Sequence, residues 1–325
     1  MPTVSILLPN YNYARFLGER LDSIARQTFR DSEIILLDDA SSDQSVDILQ
    51  RFAHQYRCRF VRNEANSGNP FIQWNRGLAL ATGKYVWIAE ADDYADPSFL
   101  DTLVDRLETN PGCGVAYCNS VRVDADSRRI ELATPTMYDI DLSRWSQDFV
   151  ASGRAECFQY LLRENTIPSA SAVLFRRDLQ VRVGPVDESL RLTGDWKFWA
   201  SILQLADLVF VAQPLNYFRT HPATTRAIAR NWTVVRETFC VMRDILASGD
   251  APRDAIERLH ARVAVLMLHA LVTERPTRTD LTSCVQFMSD VHFGFSIGAA
   301  RSFGRQILQA SMRRLKRIPQ QRFRT

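Results

Sequence analysis

The chain has no glycine-rich turn where a phosphate-binding α/β protein usually carries one. Its first apolar run, Val4 to Leu8, stops at Pro9-Asn10-Tyr11-Asn12. A dinucleotide-binding unit needs GxGxxG at that turn so that its backbone can approach a pyrophosphate, and a P-loop needs GxxxxGK[ST]; neither is present. Any phosphate bound near this turn must be held by side chains and a metal. Cysteine is scattered: Cys58, Cys113, Cys118, Cys157, Cys240 and Cys284 form no CxxC pair. In a chain of 325 residues that pattern predicts reduced, structural thiols in a cytosolic compartment. No stretch reaches the ~18 uninterrupted apolar residues of a membrane span. The N-terminus enters a strand at once, without a basic region or cleavage site, so no signal peptide is expected. A net charge of +3 is too small to imply a nucleic-acid partner. There is no internal repeat and no low-complexity segment.

What the first part of the chain does contain is alternation. Val4–Leu8, Glu33–Leu37, Arg59–Val61 and Tyr85–Ala89 read as strands. Between them run helical patterns carrying Phe16, Leu17, Leu21 and Ile24, then Val46, Leu49 and Phe52, then Ile72 and Leu78. Ser41-Ser42-Asp43-Gln44 reads as a capping box for the second helix, and Pro70 suits the first turn of the third. Strands and helices at this spacing predict right-handed βαβ units and a mainly parallel, Rossmann-like sheet flanked by helices. Asp96-Pro97 reads as the start of a further helix. Val115–Tyr117, Val121–Val123, Ala170–Phe175 and Leu208–Val211 read as strands, and Trp196 to Leu205 as a helix. Residues 125 to 152 read as a polar, irregular excursion. From about Trp232 the pattern is helical, with breaks expected at Pro252, Pro276 and Gly294.

The chemistry gathers at strand ends. Tyr85–Ala89 runs straight into Glu90-Ala91-Asp92-Asp93, three acids in four positions. Carboxylates so crowded repel one another unless a cation sits among them, and open α/β sheets bind ligands beyond the carboxyl ends of their strands. The same residues are also ordinary turn chemistry. A second acidic pair, Asp38-Asp39, closes another strand, and Tyr11 at the first strand end could stack on a base. Three strand ends converging on one edge favour a divalent metal and a nucleotide over an ornamental turn.

At this point the chain resembles the family 2 glycosyltransferases of the GT-A fold. The resemblance rests on Val4–Asn12, on Leu21-Asp22-Ser23-Ile24 with Gln27-Thr28, and on Glu33–Asp43. It continues through Asn66-Ser67-Gly68, Trp74-Asn75-Arg76-Gly77 and Ala81-Thr82-Gly83-Lys84-Tyr85. Glu90–Asp93 falls at the family's DxD position. Gly184–Glu188, Gly194–Trp199 and Tyr217–His221 match its "G-x-F-D-E", "E-D-W-x-L-W" and "Y-R-x-H" stretches. The resemblance covers about residues 3 to 225, which predicts a glycosyltransferase domain over 1–225 and a helical region over 226–325.

The resemblance implies an inverting transfer of a sugar from a nucleotide-diphosphate donor, expected to be a UDP-sugar, to an acceptor hydroxyl. Carried over, Pro9 and Tyr11 line the base and Asp39 contacts it, with Asn66, Arg76, Glu90, Ala91 and Asp92 completing the nucleotide site. Asp92, Asp93 and His221 hold Mg²⁺ or Mn²⁺ against the diphosphate, with Arg219 assisting there. Asp195 takes the acceptor's proton, and Trp196, with Trp199, is a candidate to shape the acceptor site, although two aromatics three apart are more often core. Asp187 and Glu188 are the nearest competitors for the base. Two positions depart from the family: Glu90 stands where Asp is commoner, and Gly194 where many members carry an acid. A sugar nucleotidyltransferase would share the sheet and metal but should carry a basic, glycine-rich loop after the first strand. A non-catalytic nucleotide-sugar-binding protein is the other alternative.

The C-terminal segment is basic. From Arg301 onward the sequence has eight basic side chains and no acid. Ile297, Ala300, Phe303, Ile307, Leu308, Ser311 and Leu315 fall on one helical face, a pattern suited to anionic headgroups. The expectation is a cytoplasmic enzyme of cell-envelope polysaccharide synthesis. It would act on a glycan or lipid-linked acceptor, with 299–325 in peripheral contact with the inner face of the membrane.

Overall fold

A computed structural model describes residues 1–133, 142–167, 169–222 and 229–290. The chain divides into two compact units, Met1–Ile228 and Ala229–Thr325.

The first unit opens with β1 (Val4–Asn10), α1 (Ala14–Ala25), β2 (Ser32–Asp38), α2 (Ser45–Tyr56), β3 (Arg59–Arg62), α3 (Pro70–Leu80) and β4 (Tyr85–Ile88). β1 is buried along its whole length, as a strand covered by helices on both faces must be. Asn69 caps α3 through its side-chain oxygen, which accepts from the Phe71 amide at 2.9 Å, and Pro70 fills the first turn. The expected capping box at α2 takes another form. Asp43 accepts from the Ser45 amide at 2.9 Å, while Ser41 is drawn back onto Asp38.

Then follow β5 (Tyr94–Ala95), α4 (Phe99–Thr109), β6 (Cys113–Val123), β7 (Arg129–Leu132), β8 (Phe149–Ala151), α5 (Gly153–Glu156), β9 (Val173–Arg176), α6 (Arg177–Val183), α7 (Gly194–Leu203) and β10 (Asp207–Arg219). The two short runs expected in 115–123 are one strand of 11 residues. Asp96 does not start α4; it accepts from Ser98, whose amide and hydroxyl close the turn before the helix. The expected excursion is partly ordered, since β7 pairs with β6 and β8 with β10.

The strand order is β3-β2-β1-β4-β9-β6-β10-β5. β3, β2, β1 and β4 are parallel, and so are β6 and β10, but β9 lies antiparallel between the two blocks. The body of the sheet is thus mainly parallel, as expected, but mixed, with β9 reversed within it and β5, β7 and β8 antiparallel at its margins. Alternation of strands and helices could reveal only the first block; β9 enters through an irregular segment that breaks the alternation. The register carries Asn10 beside Asp38, and the amide of Ala89 donates to Leu7 at 2.7 Å. The carboxyl ends of β2, β1 and β4 therefore open along one edge.

The second unit contains α8 (Asn231–Ala247), α9 (Arg253–Thr273) and α10 (Arg278–Asp290). Pro252 precedes α9, and Pro276 falls between α9 and α10. Phe239 stacks on Phe287 with centroids 4.2 Å apart. Asp280 is buried, accepts from the Thr277 amide and hydroxyl, and faces Arg236 at 3.4 Å. Among the described residues no helix is long and apolar enough to cross a membrane. Gly294 and the basic face Ile297–Leu315 lie outside the described residues.

Candidate active site

A cleft of roughly 450 Å³ opens along the shared strand-end edge. It is lined by Pro9, Asn10, Tyr11 and Tyr13 from the end of β1, by Asp39, Asn66, Gly68 and Gln73, and by Glu90 and Arg191. Of the expected nucleotide ligands, Pro9, Tyr11, Asp39, Asn66 and Glu90 meet here. Arg76, Ala91, Asp92 and Asp93 are not among the described residues lining this cleft; Ala91 is fully buried. Tyr11 lines the cleft and is 45% exposed.

Asp39 organises its part of the lining. One carboxylate oxygen accepts from Asn63 Nδ2 at 2.5 Å, Gln73 Nε2 at 2.7 Å and the Ser67 amide at 3.0 Å. The other accepts from Ser67 Oγ at 2.7 Å and Asn66 Nδ2 at 3.2 Å. This saturated carboxylate holds the 63–67 loop in place. The next residue, Ala40, has φ +60°, a left-handed conformation costing a non-glycine residue about 1–2 kcal/mol. Asp38 does the matching work at the end of β1. It accepts from Asn10 Nδ2 at 2.9 Å and from the Ser41 hydroxyl and amide.

The acidic strand end divides its three carboxylates among three tasks. Glu90 Oε1 accepts from the Trp74 indole at 2.8 Å. Burial and the neighbouring Asp92 charge push the Glu90 carboxyl up to about 8. Asp93 is turned inward, accepting from Ser169 Oγ at 3.0 Å and the Arg219 amide at 2.9 Å. Burial first, and then the Asp92 charge, push its carboxyl up. Asp92 faces the His221 ring, with Oδ2 and Nε2 3.1 Å apart. Tyr13 sets its ring edge-on to that of His221, centroids 5.5 Å apart, and Phe16 lies 5.0 Å away on another side. Burial and the nearby acids raise the Tyr13 phenol. Beneath the turn, buried Arg20 donates to the Glu90 carbonyl at 2.9 Å and to Ser171 Oγ at 3.1 Å, with its guanidinium over Trp87. Burial lowers Arg20 to about 10 despite the acids around it.

A metal fits this donor set. One carboxylate and one imidazole 3.1 Å apart leave room for phosphate oxygens, and divalent cations in such sites take one or two protein ligands plus the substrate's phosphates. Asp92 and His221 are the groups that would serve. The Asp93 carboxylate, expected beside them, is occupied by Ser169 and the Arg219 amide.

Asp195 is the second residue of α7, where an acid is favoured by the helix dipole. Its Oδ2 accepts from Asn165 Nδ2 at 3.2 Å, and Asn165 Oδ1 in turn accepts from the Ile167 amide. Its competitors are engaged in the preceding loop: Asp187 is paired with Lys197 at 2.8 Å, and Glu188 accepts from Asn75. Trp196, a candidate to shape an acceptor site, is instead turned into the core. It is 4% exposed and donates to the Leu161 carbonyl at 2.9 Å. At helical spacing beside Trp199 it follows the buried face of α7, which outweighs its nearness to Asp195. Asn10, Gln73, Tyr13, Arg191 and Asn165 join the site without a sequence motif of their own to mark them. Only Asn69, before Pro70, announces itself through capping chemistry.

The family model described as Glycosyl transferase family 2 matches residues 5–181. The uncharacterized glycosyltransferase EpsJ of Bacillus subtilis is 36% identical over 232 residues, 68% of this chain and 62% of that protein. The crystal structure of S. aureus TarS in complex with UDP-GlcNAc superposes with a TM-score of 0.64 at 17% identity, over 89% of this chain and 80% of that one. The mannosyltransferase PcManGT of Pyrobaculum calidifontis, in complex with GDP-Man and Mn²⁺, gives 0.59 at 19% identity, over 95% and 81%. At these identities the two structures are similar in fold.

Proposed function

This chain belongs to glycosyl transferase family 2, and on that premise we propose that it is a metal-assisted, inverting glycosyltransferase using a UDP-sugar. That it is a glycosyltransferase of GT-A type follows from the family match and the fold, and the sugar nucleotidyltransferase alternative falls with it. The observation carrying the finer reading is the pair formed by Asp92, beyond β4, and His221, beyond β10, 3.1 Å apart, with Tyr13 reaching from the His221 ring to the cleft that Tyr11 and Asp39 also line. Tyr11 offers its face to the base. The relatives solved with UDP-GlcNAc and with GDP-Man and Mn²⁺ support a nucleotide sugar and a divalent ion at a site of this kind.

Asp92 and His221 would hold Mg²⁺ or Mn²⁺, which when bound neutralises charge developing on the leaving diphosphate. Asp195 would take the proton from the acceptor hydroxyl while that oxygen attacks the anomeric carbon. The bond to the diphosphate oxygen breaks on the opposite face, so the configuration inverts. Asn165, bonded to Asp195, would hold its carboxylate in place. The acceptor we infer is a glycan or lipid-linked hydroxyl. The basic, acid-free stretch from Arg301 supports contact between 299–325 and an anionic membrane surface; loss of vesicle co-sedimentation on deleting it is the check. For the chemistry, Asp195→Asn should retain UDP binding by calorimetry while sugar transfer across a nucleotide-sugar panel disappears. Surviving transfer would remove Asp195 from the mechanism.

A further inference from the structure

We infer that Arg219 is a positioning residue that sets Asp92 against His221, and not a ligand of the donor's phosphates. The inference rests on the reading of Asp92 and His221 as the diphosphate end of the site. Arg219 closes β10 and is 1% exposed. Its amide donates to Asp93 Oδ1 at 2.9 Å and its Nε to the Asp92 carbonyl at 2.7 Å. Nη1 donates to the Asp124 carbonyl at 3.1 Å and to Ser127 Oγ at 2.9 Å, and Nη2 is bonded to Glu19. Four of the five N–H groups a guanidinium carries thus have protein partners. Its guanidinium carbon also lies 4.8 and 5.5 Å from the ring centroids of Phe16 and Tyr94.

Those partners come from three separate elements: the acidic turn, α1 through Glu19, and the turn between β6 and β7 through Asp124 and Ser127. Ser127 has φ +62°, an unfavourable conformation for serine. Its hydroxyl is bound on both sides, accepting from Arg219 and donating to Glu19 Oε2 at 2.7 Å. One planar fork therefore gathers α1, a strained turn and the main chain of Asp92. His221 lies two residues beyond, so gripping Asp92 from Arg219 fixes the distance between the paired groups. Lysine would keep the charge but could not bond in three fixed directions at once.

The test uses the full-length protein with Mn²⁺, UDP and uridine as probes. Arg219→Lys, Glu19→Gln and Ser127→Ala should each reduce the factor by which Mn²⁺ tightens UDP binding, Arg219→Lys by about tenfold, as for partners that orient a metal ligand. In EDTA, the preference for UDP over uridine should stay unchanged in all three and in Arg219→Ala. A loss of that metal-free preference in Arg219→Ala would overturn the inference, because it marks a direct phosphate contact. If Arg219→Ala does not fold, the other three decide: an unchanged Mn²⁺ factor in Arg219→Lys, Glu19→Gln and Ser127→Ala overturns it equally. Failure of the wild type to bind UDP with Mn²⁺ is a separate result and would overturn the donor reading.

Discussion

The ring of Phe71 occupies the space that a β-carbon at position 194 would need. A Cβ built there falls 2.5 Å from Phe71 Cε2 and 2.7 Å from two further ring atoms. The ring cannot easily retreat, because it is buried and packs edge-on against Trp74 at 5.3 Å. Glycine at 194 is therefore set by packing at the start of the helix that carries Asp195. Gly194→Ala should cost about 1–3 kcal/mol of stability through overpacking and lower transfer by displacing Asp195. Phe71→Ala in the same chain should recover part of the loss, giving a coupling energy opposite in sign to the single effects in a urea-denaturation cycle. Additive effects would show that the two sites are independent.

Trp74 also explains the other unusual position. Its indole donates to Glu90 Oε1 at 2.8 Å, and aspartate, one methylene shorter, would not span the same gap. Trp74→Phe and Glu90→Asp should each lower stability by about 1 kcal/mol, the usual worth of such a bond. The double variant should melt no lower than the worse single one. A fully additive double variant would mean that the bond contributes nothing.

Much of this arrangement is legible in the order of residues alone. Periodicity locates β1, β2, β3 and β4 with their helices, because each is a continuous apolar run or stripe between polar turns. The acids at positions 90, 92 and 93 are visible as a cluster, but not their division of labour. Whether a carboxylate faces a cleft, as Glu90 does, or a serine behind it, as Asp93 does, depends on partners such as Ser169 and Arg219, more than seventy residues away along the chain. Periodicity also cannot place β9 antiparallel inside the sheet, since its four residues carry no sign of direction. For Trp196 the sequence offers two readings, nearness to Asp195 and a core spacing with Trp199, and the burial of both indoles follows the second.

Asp92 and His221 offer two protein donors, so a metal held between them needs the donor's phosphate oxygens to complete its shell. Mn²⁺ alone should bind weakly, and UDP alone more weakly than with Mn²⁺. By linkage the two enhancements must be equal, and His221→Ala should abolish both together. Calorimetric titrations in both orders measure the factor directly. Equal UDP affinity with and without Mn²⁺ would dismiss the metal from this site.

The loop leading to α7 carries its own pH signature. Asp187 accepts from Lys197 Nζ at 2.8 Å and from the Ser189 hydroxyl and amide. Burial alone would raise its carboxyl, but these bonds outweigh burial and hold it at about 2, below its ordinary 3.8. A carboxyl depressed in the folded state adds stability that is fully present above its unfolded pKa and fades as pH falls toward the folded one. Asp187→Asn should therefore lower the melting temperature at pH 7, and the gap to wild type should narrow between about pH 5 and pH 2. Lys197→Met should show the same narrowing, because it removes the main donor. A gap that stays constant down to pH 3 would mean that Asp187 shapes the loop through geometry alone, without its charge.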